Sequence, residues 1–234
     1  MSVPWRGREV FLVLAALVIV SRAIGQFGGV IQSWVNTQTN DPTSSFIIFF
    51  ILAAMAQATV LIGLVIYYVR QRYKLPWLFL GLSPCSISRV LAAGLGGGVI
   101  LFFSVILISL GLSWLMPQPT EPQPYVDILL AAQDWRQLAL VMAVGSILAP
   151  LSEEFYFRGF LFPYLRERLG VTFGMWGSAA IFGALHLDPW RFIPLTLGGF
   201  GLAFIYQRTG SLFASILAHS VWNTIMSVLV LIGS

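Results

Sequence analysis

Ser152-Glu-Glu-Phe-Tyr-Phe-Arg-Gly159 places two adjacent carboxylates and an arginine inside a stretch that is otherwise apolar. Upstream, Leu138 to Leu151 carries no charge; downstream come Phe160, Leu161 and Phe162. A single Asp, Lys or Arg at the centre of a spanning helix costs roughly 2.5–3.5 kcal/mol on insertion scales, so ionisable groups at that depth point to function and need partners. Helical spacing supplies one partner. Glu154 and Arg158 stand four residues apart and project from one face as an ion pair, whereas Glu153 points about 100° away and is free to face another helix.

Working outward, the 234 residues are 58% hydrophobic and only 9% charged, with mean hydropathy +0.86. Soluble domains carry about a quarter charged residues, so this is an all-α, polytopic integral membrane protein, expected in the cell membrane. The net charge of +4 is not a nucleic-acid footprint, because the basic residues cluster between apolar runs. A single cysteine, Cys85, excludes an intrachain disulfide and a cysteine-based metal cluster. Arg6 and Arg8 ahead of Val10–Val20, with Ser21-Arg-Ala23 behind, formally match a secretory signal; the expectation is a retained helix.

Runs of about 20 apolar residues span a bilayer, and seven are read at roughly 9–34, 46–69, 88–115, 137–163, 171–187, 191–207 and 211–232. The first, with Arg22, Gln26 and Gly28-Gly29, is the weakest and is expected to break or lie along the interface beyond residue 22. Arg6, Arg8, Arg70, Arg72, Lys74, Arg89, Arg166, Arg168 and Arg208 fall on one side and only Arg136 and Arg191 on the other. The positive-inside rule then sets the N-terminus inside and the C-terminus outside. Pro117, Pro119, Pro122 and Pro124 exclude a helix over 117–124. The chain divides into a three-helix front part (1–116), a proline-rich linker with an amphipathic piece (117–134) and a four-helix back part (135–232). The front part carries no motif and is expected to act as a packing partner or access wall.

Both histidines lie in the back part. His186 follows Phe182 by one turn, and His219 shares a face with Asn223. Two imidazoles, an amide and a carboxylate pair from three apolar helices cannot stay buried without partners. A carboxylate and an imidazole can share a water and draw off its proton as it attacks a carbonyl; a second imidazole and an amide can donate to the resulting oxyanion. The same residues, Glu153, His186 and His219, also make a three-ligand zinc set with one open position. Spacing does not separate the two, although the His-Glu-x-x-His signature of common zinc proteases is absent. Neither Ser152 nor Ser220 is linked to a base by spacing.

Glu153-Glu-Phe-Tyr-Phe-Arg158, Phe182-x-x-x-His186 and His219-x-x-x-Asn223 resemble, in order, the three motifs of the CPBP (Abi) family of intramembrane proteases, the CAAX proteases and bacteriocin-processing enzymes. Thr209–His219 is also similar to the segment leading into the last motif, and the resemblance covers about 135–230. It implies that Glu153 and His186 activate water, that His219 and Asn223 stabilise the oxyanion, and that Glu154, Arg158 and Phe182 support the site. No cofactor is required in that mechanism, although relatives have also been described as metalloproteases. The implied partners are membrane lipid and a membrane-associated or prenylated protein or peptide. Two other classes compete: a non-catalytic scaffold or bacteriocin-immunity protein, and a proton-coupled transporter. The latter is disfavoured by the lack of inverted repeats in the hydropathy pattern.

Overall fold

The computed structural model describes residues 2–82, 85–116 and 123–233. Among these, every regular element is helical. Helix α1 (Gly7–Thr39) is followed by α2 (Pro42–Ile66), which runs on through a π-turn at Tyr67–Arg72. A 3₁₀ turn at Trp77–Leu80 leads to α3 (Ile87–Leu91), a π-turn at Ala92–Gly96 and α4 (Gly97–Ser113). The short α5 (Pro124–Leu130) precedes α6 (Trp135–Ala143), a π-turn at Val144–Leu148, α7 (Ala149–Tyr156) and a π-turn at Phe157–Leu161. Then come α8 (Phe162–Ala184), α9 (Phe192–Thr209) and α10 (Leu212–Gly233).

Among the described residues, five stretches are long and apolar enough to cross a membrane: Gly7–Thr39, Pro42–Arg72, Ile87–Ser113, Trp135–Ala184 and Leu212–Gly233. The fourth is two helices. Gly170 sits at φ 80°, ψ 171°, a conformation that only glycine adopts readily, and reverses the chain inside Trp135–Ala184. With α9 the bundle therefore has the seven long helices the apolar runs suggest. Most residues expected to form the proline-rich linker, 117–122, lie outside the described residues; Pro124 opens α5, where its missing N–H costs nothing.

Helix α1 departs from expectation, because it continues unbroken to Thr39. Interior glycines each cost only about 1 kcal/mol, and Gly28 is packed against Phe49 of α2 so closely that a Cβ there would stand 2.9 Å from the ring. Asp41 then starts α2 firmly, its carboxylate accepting the N–H groups of Thr43 and Ser44. The Ser44 side chain, and after it the two N–H groups, hold the Asp41 carboxyl below its usual value.

The main apolar core joins front and back. Trp5, Leu61, Val65, Tyr156, Phe157, Phe160, Phe162, Phe182 and Tyr206 form one buried cluster, so α1 and α2 pack directly on the segment carrying the two glutamates. Trp5 is fully buried; its indole N–H donates to the Phe160 carbonyl at 3.1 Å and its ring stacks on Phe160 at 4.7 Å. The Tyr156 hydroxyl donates to the Val10 carbonyl at 3.2 Å.

Candidate active site

The site is built on α7, and the π-turns flanking that helix explain its placement. In each turn the hydrogen bonds run to the fifth residue back, as from Ala149 N to Val144 O and from Phe162 N to Phe157 O. Each is followed by a proline, Pro150 or Pro163, whose ring crowds the carbonyl four residues back in an α-helix and which has no N–H to give. In the wider register Pro150 leaves the Gly145 carbonyl without its helical donor. Asn223 supplies one, its Nδ2 donating to Gly145 O at 2.9 Å.

Glu154 and Arg158 form the expected pair at 2.7 Å, both side chains wholly buried. Burial of two charges is tolerated only when the remaining lone pairs and protons are used, and here nearly all are. Arg158 Nη2 donates to Gly199 O at 2.7 Å, and its guanidinium lies over the Phe182 ring at 5.1 Å. Glu154 accepts further bonds from the Ser215 hydroxyl (2.5 Å) and from His219 Nδ1–H (2.9 Å). Only Arg158 Nε stays without a partner.

Glu153 faces elsewhere. Its side chain is 27% exposed, and its Oε2 lies 3.8 Å from Nε2 of His219. His219 is thus held by one carboxylate through Nδ1 and faces a second through Nε2, and its ring stacks on Trp222 at 5.5 Å. His186 is anchored similarly, donating from Nδ1 to its own Phe182 carbonyl at 2.9 Å. A neutral imidazole with Nδ1 protonated carries its lone pair on Nε2, so both histidines present a base. The two rings edge onto Phe182, His186 at 4.9 Å and His219 at 5.8 Å.

The structure therefore gathers Glu153, Glu154, Arg158, Phe182, His219 and, through the Phe182 ring, His186. Asn223 sits one turn further along α10. The imidazole within ion-pair distance of Glu153 is that of His219 rather than His186. Ser152 is spent on its own helix, donating to Ala149 O, and Cys85 contacts Ser211. Among the described residues no three His, Cys, Asp or Glu side chains gather closely enough to hold one metal. A zinc ion between Glu153 and His219 would have two protein ligands here, short of the three of a catalytic site.

Several residues escaped the sequence reading. Ser215, His219, Asn223 and Ser227 fall at successive i,i+4 positions of α10, a polar stripe of which only the middle two were singled out. Ser227 donates to Asn223 O (2.9 Å) and meets the Tyr125 hydroxyl (3.0 Å). The Tyr125 ring lies on Gly145, where an added Cβ would come within 2.5 Å of it. Burial raises the Tyr125 pKa, leaving a neutral hydroxyl. The amphipathic segment thus reaches the Asn223 end of the site.

Apolar helices around a dry ion pair, with a second, partly open carboxylate beside an imidazole, place this chain among helical membrane proteins with an ionisable intramembrane site. Comparison gives a likeness: residues 135–225 match the family model described as type II CAAX prenyl endopeptidase Rce1-like. It is 36% identical over 107 residues to the Bacillus subtilis (strain 168) protein named "Putative membrane peptidase YdiL", covering 46% of this chain and 41% of that one. It is 33% identical over 86 residues to "Uncharacterized protein YpbD" of the same organism, covering 35% and 41%. The matches thus span about two fifths of each relative. No solved structure matches the chain.

Proposed function

We propose that this chain is an intramembrane endopeptidase that hydrolyses a peptide bond in membrane-associated proteins or peptides, including prenylated, CAAX-type ones, at the cell membrane with its N-terminus inside. The observation that carries the reading is the 3.8 Å approach of the partly exposed Glu153 carboxylate to His219 Nε2, beside a Glu154 whose charge is already compensated. Glu153 takes a proton from a water as that water's oxygen attacks the scissile carbonyl. The proton then goes to the departing amine, which leaves as the tetrahedral carbon collapses to the carboxylate.

His186 and His219 are the two groups that assist. Each has Nδ1 tied down and Nε2 available, so each can share the attacking water or, once protonated, donate to the oxyanion. His186, more open than His219, suits the water; His219, deeper and held by Glu154, suits the oxyanion. Asn223 gives one N–H to Gly145 O and has a second for the same oxyanion.

The test compares wild type with Glu153→Gln in proteoliposomes containing a prenylated CAAX peptide, and in cells whose membrane peptides are profiled. Wild type should generate cleaved peptides, and the variant should lose about 10²- to 10⁴-fold in rate, the usual contribution of a positioned base. Undiminished cleavage by a well-inserted Glu153→Gln protein would remove the base, and identical peptide profiles would remove the activity.

A further inference from the structure

Away from the glutamates, a cavity of about 220 Å³ opens where the N-terminal segment, the 3₁₀ turn, the start of α8 and the end of α9 meet. Its lining is apolar at Val3, Leu78, Phe79 and Pro163 and polar at Arg166 and Gln207. The guanidinium is already oriented. Arg166 Nη1 donates to Gln207 Oε1 at 3.0 Å, and the group lies 5.6 Å from the centre of the Phe162 ring. It has no carboxylate within ion-pair distance among the described residues. The adjacent Glu167 carboxylate is engaged by the N–H of Val3, itself a lining residue, at 2.7 Å.

Neighbouring side chains place this cavity at the level of lipid headgroups. Trp77 and Leu78 are 41% and 43% exposed, and Arg70 lies over the Trp77 ring at 5.0 Å. Exposed tryptophan beside arginine is the signature of a membrane–water boundary. A cation with no ion-pair partner among the described residues, in a cavity lined otherwise mostly by apolar side chains, fits an amphiphile with an anionic head. Arginine's fork suits a phosphate, to which it can give two parallel N–H bonds.

We propose that this cavity binds an acidic phospholipid, its phosphate on Arg166 with Gln207 beside it and the start of an acyl chain against Leu78 and Phe79. The lipid would tie the N-terminal segment, the 3₁₀ turn and α8 together at one end of the bundle. This site is independent of the peptidase reading.

The test uses the full chain in detergent, with thermal unfolding followed as dioleoyl phosphatidylglycerol, dioleoyl phosphatidylcholine or inorganic phosphate is added. The phosphatidylglycerol should raise Tm by several degrees more than the phosphatidylcholine. Arg166→Gln should weaken this response about tenfold in lipid concentration, whereas Arg208→Gln, an exposed arginine outside the cavity, should leave it unchanged. Equal losses in the two variants would reduce the effect to diffuse charge and overturn the site. A response to inorganic phosphate as large as that to the lipid would overturn the lipid as occupant. Should Arg166→Gln fail to fold, Gln207→Ala keeps the charge but removes its orienting acceptor. A loss of about threefold is then expected, and none would count against the proposal.

Discussion

On one face of α7 Glu154 is completely buried, answers to an arginine, a serine and an imidazole, and has no room for a further ligand. On the other, the very next residue toward the N-terminus keeps 27% of its side chain open and reaches only as near as 3.8 Å to an imidazole nitrogen. The two differ by one step of about 100° around a helix. That step separates a charge that holds helices together from one left partly open. His219 joins them, fixed by the first through Nδ1 and turned toward the second through Nε2, so the dry side sets the geometry of the open side.

Breaking the dry side should have the largest effect. Glu154→Ala leaves Arg158 charged and buried without its partner, a change worth about 3–5 kcal/mol, and should appear as a sharply lowered Tm or loss of folded protein in detergent. Glu153→Ala, by contrast, should leave Tm nearly where it was. Equal destabilisation by the two would erase the distinction. Ser215→Ala sharpens it further by removing one hydrogen bond to the Glu154 carboxylate, worth about 1.5–3 kcal/mol, again visible in thermal unfolding. The smallest change is Tyr125→Phe, which keeps the ring on Gly145 but loses the bond to Ser227. About 0.5–1.5 kcal/mol is expected, with peptidase rate falling more than Tm only if Asn223 is displaced.

What could be read from the chain was what depends on local spacing. The apolar runs, the Glu154–Arg158 pair and the divergence of Glu153 all follow from helical periodicity. The pairing of His219 with Glu154 does not, because it joins residues 65 apart and rests on how α10 lies against α7. The same is true of Trp5, which reaches Phe160 across 155 positions. Ser215 was within reach, since it precedes His219 by one turn, but serine in a membrane helix is common enough to pass unremarked. The persistence of α1 past Gly28-Gly29 was misread because glycine's local cost was weighed without the contact with Phe49 that its small size permits.

The widened turn at Val144–Leu148 also acts as a phase setting. An α-helix accommodates one extra residue there by opening its ring, and everything on one side is rotated by about 100° relative to the other. Val141 on α6 can therefore face the apolar cluster it shares with Ile47 and Leu129 while Glu154 faces Ser215 and His219 on α10. Close that turn to α register with every residue kept and the two demands fall out of step: either the hydrophobic stripe of α6 swings off its neighbours, or Glu153 swings toward the place of Glu154.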